Sequence, residues 1–476
     1  MMKSCGYVLG LLFFIYCVKA NGQSYHAANG SAYAGVLGNF TNPASGINSP
    51  FKWDVSIVGA QSITTNNALS IGNLDFNNLA STAVLFQPTS GTGNRRIDNN
   101  ADLHLFNVRY AIDKIQCVSF GIRVRYYTHA TASSFNFIDT TSGLLPFLSY
   151  NAGFTPFNSS VSNEAWVEND FSYARILKED NNSRWSGGIT IGLLRGISGF
   201  YGSINNLRYV SEAGRSVATG GGVKILYSDT YSVTDEGNTL LKNALKLKQA
   251  GNLSVGASVG VEYLVKKNVF DEPYNPKNYY WKIGFSIMDI GGNKFNTAAY
   301  SFIVDSPKTN VTDTGLINQI DAAYGHYDVK RVLINNFKGS LPYQSTFKMR
   351  LPTRLVLAID KSFSSNFYVN AMLSLNIYNE NSANIYKINT TELNLLVITP
   401  RWENHFWGFY MPVQYTATHN LFVGTAIKIG PLLIGLHNIN WLDKSKIAEL
   451  NGGSYVALHI QPKTKKLHHS LDCFYD

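Results

Sequence analysis

The sequence predicts an all-β protein, a transmembrane antiparallel β-barrel of about 14 strands. Three observations support this fold class. Apolar and polar residues alternate over stretches of about ten residues, which is the period of a strand with one buried face. Charged residues make up only 15% of the 476 residues while aromatic residues reach 13%, a balance unusual for soluble domains. After the N-terminus no run of 18 apolar residues occurs, so the sequence predicts no membrane-spanning helix.

The clearest strand pair lies at 103–112 and 116–128. In the second strand every even-numbered position from 118 to 126 is large and apolar: Val118, Phe120, Ile122, Val124 and Tyr126. In the first strand Phe106, Val108, Tyr110 and Ile112 form the matching apolar face. This period of two is the signature of a strand rather than a helix. We therefore predict a hairpin whose two strands share one apolar face.

The hairpin register follows from pairing apolar with apolar positions, because a slip of one residue would move every side chain to the other face. This pairing predicts Tyr110 opposite Val118, with a three-residue loop at 113–115. It also places Arg123 opposite Leu105 and Arg125 opposite Leu103.

The length and charge of these strands predict which face meets lipid. About ten residues exceed the usual five or six of a soluble strand and match a tilted transmembrane strand. A face that carries Arg109, Arg123 and Arg125 cannot face lipid, so it faces a watery lumen. The same alternation in the strand at 253–265 places Glu262 on the lumen face.

Further strands follow along the chain. A clear one lies at 367–377, and weaker ones lie at 53–61, 165–177, 187–195, 222–229, 280–290, 347–361, 392–402, 407–415, 420–430, 432–440 and 454–460. The total is about fifteen, and single-chain bacterial barrels have an even number of strands. The count therefore predicts about fourteen.

Connections alternate between short and long, as in outer-membrane barrels with short periplasmic turns. Polar turns lie at 113–114, 180–184 and 364–366, whereas 131–163, 230–251 and 305–346 are long. Two loops carry helix patterns. One is a stripe of Leu240, Leu241, Ala244 and Leu245, and the other consists of Leu316, Ile317 and Ile320 and ends before Gly325. We interpret both short helices as lids packed on the barrel rim.

The N-terminus has the features of a Sec signal peptide at 1–20, namely Lys3, an apolar run at 6–18 and small residues before the cleavage point. Cleavage removes Lys3 and Lys19 and no acid, so the formal charge falls from +9 to +7. Cys117 and Cys473 remain, and the sequence leaves open whether they pair. The basic residues form no runs, which makes a nucleic-acid partner a poor hypothesis.

A segment of small residues at 27–35 follows, and then Asn42, Pro43 and Ala44. Taken alone, this tripeptide is an ordinary Asx-type turn. Followed by many amphipathic strands, however, it resembles the FadL/PorV superfamily of outer-membrane barrels. Motifs at 282–291, 351–354 and 427–431 resemble a Bacteroidetes branch of that superfamily. The resemblance implies that residues 21–50 form a hatch inside the lumen, with Asn42, Pro43 and Ala44 as its motif. The barrel then covers 51–462, and 463–476 is a tail.

The sequence contains no His-Glu-x-x-His motif and no zinc spacing. We therefore expect neither an enzyme nor a cofactor or metal. Two interpretations of the lumenal arginines remain open. They are either hydrated and paired with carboxylates and carbonyls of the hatch, which we favour, or they form an anion-attracting spot along a substrate path.

The resemblance implies a function in the outer membrane of a Gram-negative bacterium, in contact with outer-membrane lipid. It implies passive passage of a small hydrophobic ligand through a hatch-controlled barrel. The alternative is a non-transporting, PorV-like barrel that serves a secretion or surface-protein partner. The long loops at 131–163 and 305–346 would then be its docking surfaces.

The hairpin yields a testable prediction about assembly. An arginine on the lipid face at mid-bilayer costs about 2–4 kcal/mol, so Ile122→Arg should impair assembly far more than Gly121→Arg on the lumen face. The measurement is heat-modifiable migration of the folded barrel on gels. Recovery of the wild type as a soluble periplasmic protein would contradict the barrel prediction itself.

Overall fold

The computed structural model describes most of the chain. The described residues are 25–72, 85–89, 91–137, 151, 156–212, 215–230, 251–267, 279–308, 311–312, 315–316, 318–319, 322, 325–339, 344–364, 366–378, 387–416, 420–442, 448–449 and 451–462. The predicted signal peptide, the tail at 463–476, Cys473 and the helix stripe at 240–245 lie outside them.

Fourteen antiparallel strands form a closed barrel, as the sequence predicts. In chain order β1 to β14 are Trp53–Asn66, Gly91–Ala111, Gln116–Phe137, Phe157–Glu179, Ser183–Glu212, Leu253–Lys266, Tyr279–Asn296, Arg354–Ser362, Phe367–Asn376, Leu395–Glu403, Trp407–Tyr410 with Val413–Thr416, Leu421–Val423 with Thr425–Ile429, Leu432–Leu436, and Gly452–Ile460. The barrel closes because β1 pairs with both β2 and β14. Closure satisfies the backbone hydrogen bonds that lipid cannot supply.

Shorter elements lie inside the barrel or extend its rim. The additional strands are Leu69–Gly72, Leu85–Pro88, Arg215–Tyr227, Phe302–Val304, Ser306–Pro307, Phe337–Lys338, Thr346–Arg350, Lys387–Asn389 and Ala448–Glu449. The 3-10 helices are His26–Ala28, Gly35–Phe40, Pro43–Asn48 and Ile439–Leu442. The predicted strand at 222–229 corresponds to Arg215–Tyr227, which pairs with the far end of β5 and is not one of the fourteen. The stretch 347–361, predicted as one strand, is two, because residues 351–353 interrupt it.

The two faces of the strands differ as the alternation predicts. On β3, Val118 and Tyr126 of the even-numbered face are exposed on the outside of the barrel, whereas Arg123 and Arg125 are buried on the inside. In β6, Val259 and Val261 are exposed while Glu262 is buried. The apolar face is therefore the lipid face, and the charged face lines the lumen.

The predicted hairpin register is correct at the turn and wrong beyond a bulge. Tyr110 pairs with Val118, and the Ile112 amide donates to the Gln116 carbonyl at 3.0 Å. Between His104 and Asn107 the register shifts, with Phe106 at a φ of 38°. A bulge inserts one residue and exchanges the two faces.

The consequence of this bulge is a new set of neighbours for the lumenal arginines. Arg123 lies opposite His104, and Arg125 lies opposite Asp102, rather than opposite Leu105 and Leu103. Leu105 is exposed on the outside. The sequence pattern did not reveal the bulge, because Leu105 and Phe106 are adjacent apolar residues and either one could continue the apolar face.

The barrel wall is taller on one side. Strands β2 to β5 contain 21, 22, 23 and 30 residues, whereas β8, β9 and β10 contain 9, 10 and 9. The predicted long loop at 131–163 is correspondingly shorter, because β3 continues to Phe137 and β4 begins at Phe157. On the outer face of β3, Tyr126 is followed by Thr128, Ala130 and Ala132, so the apolar belt ends there.

The loop at 305–346 contains helical segments on the rim. Residues 315–316 and 318–319 are helical, and Leu316 packs against a cluster that includes Phe302 and Leu333. A longer helix, α1, spans Gly325–Asn336. It begins at the glycine before which the sequence pattern predicted the helix to end. Among the described residues, no helix is both long and apolar enough to span a membrane.

The bulge changes the control for the assembly prediction. A Cβ on Gly121 would lie 1.9 Å from Asn107 Oδ1, so Gly121→Arg tests crowding as well as charge. Ala130→Arg is the better control, because Ala130 lies on the same face of β3 roughly 26 Å further along the strand, beyond the apolar belt. Ile122→Arg should cost about 2–4 kcal/mol and Ala130→Arg about 0–1 kcal/mol, measured by urea titration of folding into liposomes. Equal losses for both variants would contradict the assigned lipid belt.

Candidate functional site: the lumen

Residues 25–50 fold inside the barrel, and we call them the hatch. Three of the 3-10 helices lie in this segment, which contains no Asp, Glu, Lys or Arg. Its alanines and Leu37 pack against Tyr410, Leu433 and Tyr455 of the wall. Burial raises the pKa of Tyr25, and burial together with Glu403 and Tyr368 raises the pKa of Tyr33, so both phenols stay neutral. The hatch therefore fills the lumen without adding charge to it.

The predicted motif Asn42, Pro43 and Ala44 forms a capped turn against the wall. Asn42 precedes the helix Pro43–Asn48, and its Oδ1 accepts a hydrogen bond from the Ala44 amide at 2.9 Å. Its Nδ2 donates to the Val261 carbonyl of β6 at 3.0 Å. One side chain thus caps the helix and fixes the hatch to the barrel, while proline at the first helical position fixes the backbone.

Three wall glycines give this turn its space. A Cβ on Gly260 would lie 2.1 Å from Asn42 Oδ1, and one on Gly284 would lie 2.9 Å from Asn42 Nδ2. A Cβ on Gly188 would lie 2.5 Å from the backbone of Pro43 and Ala44. The glycines are therefore required by the close approach of the hatch rather than by the strands that carry them.

Wall cations bind the hatch through its carbonyl groups. Lys282 Nζ donates to the Gly30 carbonyl at 2.6 Å, and Arg401 Nη2 donates to the same oxygen at 3.1 Å. Arg354 Nη2 donates to the Phe40 carbonyl at 3.2 Å. Glu262, which the sequence places on the lumen face, accepts from the Asn48 side chain of the hatch. Charged wall residues thus meet a polar but uncharged plug.

Above the hatch lies a cluster of paired charges that we call the central ion layer. Its members are Arg123, Arg125, Arg354, Asp102, Glu168, Asp170, Asp289 and Glu392, all of them buried. Arg125 binds Asp289 through two nitrogen–oxygen contacts of 2.9 and 3.1 Å, and its Nε lies 3.1 Å from Asp102. Two-point pairing of this kind is the strongest geometry for a guanidinium and a carboxylate.

The other two arginines complete the layer. Arg123 binds Asp170 at 2.8 Å and also Glu168, while its guanidinium lies 4.7 Å from the Phe40 ring of the hatch. Arg354 pairs with Glu392. Because β2, β3, β4, β7, β8 and the segment before β10 all contribute, the layer crosses the lumen from wall to wall.

Two further arginines form ion pairs near the periplasmic end. Arg109 Nε lies 2.5 Å from Asp54, which also contacts His459 at 3.1 Å. Arg401 binds Asp360 at 2.5 Å and Glu403 at 2.9 Å. Every lumenal arginine that the sequence analysis named therefore has a carboxylate partner.

Paired arginines are what the first of the two interpretations expects, but the hatch carboxylates that it expected as partners are absent. The carboxylate partners come from the wall, because the hatch has none; the hatch contacts Arg123 through the Phe40 ring and contacts Arg354 and Arg401 through carbonyls. Sequence reasoning missed these acids, although parity could have found Glu168 and Asp170 on the lumen face of β4. The alternation of faces could not place Asp102 and Asp289, because a bulge near each of them shifts the alternation by one residue.

A second plug enters from the extracellular end. Between β9 and β10, residues 388–393 are all buried. Thr390 donates its hydroxyl hydrogen to Glu164, and the Thr390 amide donates to the Arg350 carbonyl at 3.0 Å. Glu392 belongs to the central ion layer, and Leu393 packs on the wall. We call 388–394 the inner loop, and it closes the lumen above the hatch.

Apolar clusters also occupy the lumen. One consists of Ile63, Met288, Val356, Met372, Leu393, Leu395 and Val397, a second of Tyr127, Trp166, Leu194 and Leu351, and a third of Leu226, Phe295, Phe347, Met349 and Ile388. With the hatch cluster around Tyr25 and Leu37, they run along the interior of the barrel. A lumen with these clusters differs from that of a porin, whose interior is polar.

The described lumen is closed. A cavity between the hatch and β6 to β9 leaves about 40 Å³ for the centres of water molecules, and a second, near Phe40 and Arg123, leaves about 20 Å³. These spaces hold a few waters each, since one water needs roughly 10–15 Å³ of such volume. In the described part of the chain, no three His, Cys, Asp or Glu side chains are grouped to hold a metal ion. Cys117 is buried against Ile47 of the hatch.

Solved structures with a similar fold include a FadL homologue and the toluene transporter TodX. The crystal structure of a FadL homologue from Pseudomonas aeruginosa is 11% identical, with 92% of this chain and 96% of that chain covered and a TM-score of 0.42. The toluene transporter TodX from Pseudomonas putida is 9% identical, with 92% and 96% covered and a TM-score of 0.32. None of the curated proteins matches the sequence.

A family model decides the relationship. Residues 43–436 match a family described as a family of unknown function, DUF5723. The chain belongs to this family. The match begins inside the hatch motif and ends with β13, so it includes the last two residues of the motif, the central ion layer and the inner loop.

The glycine contacts predict how to detach the hatch. Gly188→Ala places a methyl group against the Pro43 and Ala44 backbone, and such overpacking costs about 1–3 kcal/mol. We expect the barrel to keep its gel mobility while amide hydrogen exchange in 36–48 speeds up at least tenfold. Gly220→Ala is the matched control, because its Cβ would meet only Arg208 side-chain atoms, at 3.9 Å. Unchanged exchange in the Gly188 variant would show that the turn does not depend on this contact.

Proposed function

We propose that this protein is a passive outer-membrane channel for small hydrophobic molecules. The observation that carries the proposal is the series of apolar clusters inside the lumen, above all the cluster of Ile63, Met288, Val356, Met372, Leu393, Leu395 and Val397. An apolar side chain in a permanently water-filled pore gains nothing from burial. A dry apolar surface in the lumen instead favours passage of an apolar solute.

In this proposal the described conformation is the closed state of the channel. The inner loop closes the path by two adjacent residues, because Glu392 pairs with Arg354 and Leu393 fills the apolar cluster. Displacing the loop would free the apolar wall for a solute and break the ion pair in the same movement. The hatch then forms the second barrier, fixed by the Asn42 contacts and by the carbonyl hydrogen bonds of Gly30 and Phe40.

The proposal includes the domain organisation and location predicted from the sequence. Residues 1–20 direct export through Sec to the outer membrane of a Gram-negative bacterium, 21–50 act as the hatch, 51–462 form the barrel and 463–476 are a tail. Support comes from the position of 25–50 in the lumen and from the exposed apolar belt of the strands. No cofactor takes part, because diffusion requires only a path.

A paired exchange of valine for threonine tests the apolar path. Val356→Thr with Val397→Thr keeps the shape of the cluster but adds two hydroxyl groups, and each unpartnered hydroxyl costs about 1–3 kcal/mol. We expect transfer of a fluorescent apolar solute to an enclosed acceptor to fall about tenfold or more. Proteoliposomes with a lipopolysaccharide outer leaflet suit the measurement, because that leaflet resists apolar solutes.

The matched control makes the same exchange on the lipid face. Val261→Thr with Val369→Thr adds two hydroxyls outside the lumen, and transfer should stay within twofold of the wild type. Equal loss in both double variants would indicate a folding defect and contradict the lumenal path. If the intact barrel transports no solute of a broad panel while its long loops capture a secretion or surface protein, the PorV-like alternative replaces the channel.

Removing the hatch tests the second barrier. Deletion of Gly30–Gly46 should leave the barrel assembled, because the strand ladders close without it, and should admit small hydrophilic sugars that the wild type excludes. Asn42→Ala with Pro43→Ala should raise the same leak by a smaller factor, since the turn loses its cap and its wall contact. Sugar exclusion by the deletion variant would show that the inner loop alone closes the lumen.

A further inference from the structure

Three lysines form a row on the outer face of the barrel, which we call the lysine row. Lys294 of β7 lies directly opposite Lys348, and Lys348 lies directly opposite Lys387. All three are exposed. Side chains opposite each other on neighbouring strands have Cβ atoms about 4.5–5.5 Å apart, and like charges at these positions repel.

The neighbours of these lysines fix their direction. Asn293 and Phe295 flank Lys294, Phe347 and Met349 flank Lys348, and Ile388 follows Lys387; all five are buried in the lumen. Because side chains alternate along a strand, the lysines point outward. Lys348 also lies across Gly292, where a Cβ would be 2.9 Å from its Cε. The missing side chain lets it extend along the barrel surface.

A fourth cation and an aromatic ring extend the row. Arg350 lies on the same face two residues from Lys348, and its guanidinium is 4.7 Å from the ring of Tyr378. Tyr378 is exposed at the end of β9, where a ring marks a membrane interface. Within the part of the chain that the structure describes, no Asp or Glu forms an ion pair with Lys294, Lys348, Lys387 or Arg350. Asp229 instead accepts a hydrogen bond from Asn296.

The row lies just above the apolar belt. Ile290, Leu355, Leu375 and Ile377 are exposed on the outer face immediately below it. Lys294 follows Ile290 by four residues, a rise of roughly 13 Å along the strand. The row belongs to the extracellular end, because the short turns at 113–115 and 180–182 mark the periplasmic end. Four cations that have no acidic partner among the described residues therefore meet the outer leaflet at the depth of its head groups.

We infer that the lysine row binds the phosphate groups of an anionic glycolipid of the outer leaflet, of the lipid A type. Phosphate oxygens neutralise the repulsion between the opposed lysines, and Arg350 adds a planar donor. The acyl chains of the same lipid cover Ile290, Leu355 and Leu375 below. A free phosphate ion would use only the first of these two surfaces, so the occupant is a lipid.

Binding of lipid A to the detergent-folded full chain, followed by native mass spectrometry, tests this assignment. We expect diphosphoryl lipid A to bind, whereas lipid A without phosphates binds at least tenfold more weakly and inorganic phosphate alone does not bind. Lys294→Gln with Lys348→Gln should weaken binding of diphosphoryl lipid A at least tenfold. Heat-modifiable migration confirms that the variant is folded.

Lys52→Gln with Lys361→Gln is the matched control, because both lysines lie at the periplasmic end, over Tyr110 and Trp281 respectively. This variant has the same change in charge and should bind diphosphoryl lipid A as the wild type does. The assignment is wrong if the Lys294 and Lys348 variant binds as the wild type, if the control loses as much, or if removing the phosphates changes nothing. Binding of inorganic phosphate alone at the row would replace the lipid with a free anion.

Discussion

Arg125 is the side chain on which the interior of this barrel depends. It is 1% exposed, and its guanidinium contacts Asp102, Glu168 and Asp289, which lie on three different strands. Removing one partner from a buried ion pair typically costs about 3–5 kcal/mol, because a charge is left without compensation. The strands that supply these acids must therefore stay within reach of one point in the lumen. This requirement fills the lumen at mid-height with fixed charges. Arg354 of the same layer pairs with Glu392 of the inner loop.

Backbone irregularity makes this layer possible. Phe106 and Asp289 have positive φ values of 38° and 58°, which cost on the order of 1–3 kcal/mol each. The bulge at Phe106 turns Asp102 toward Arg125, and the one at Asp289 places Met288 and Asp289 in the interior together. One residue then joins the apolar cluster while the other joins the ion layer. Adjacent residues therefore join the charged and the apolar parts of the lumen at two places. These are Met288 with Asp289, and Glu392 with Leu393.

The hatch differs from the central ion layer because it is uncharged. It carries no charged side chain and is fixed by carbonyl groups, by the side chains of Asn42 and Asn48 and by the space above Gly188, Gly260 and Gly284. Its removal leaves no unpaired charge on the hatch itself, and Lys282 and Arg401 lose only a carbonyl partner. An uncharged plug held by a charged wall is suited to repeated release, because the carboxylate partners of Arg401 remain in place.

The sequence by itself determined the class of fold, the lipid and lumen faces, the short turns and the inward direction of Arg109, Arg123, Arg125 and Glu262. These properties depend on the two-residue alternation of apolar and polar side chains, which can be recognised in short stretches of the sequence. Only the tertiary structure decided which acids pair with those arginines, that 388–394 enters the lumen, and that Leu105 faces outward. Bulges shift the period by one residue without a compositional signal, and partners more than 100 residues apart, such as Arg125 and Asp289, meet only when the barrel closes.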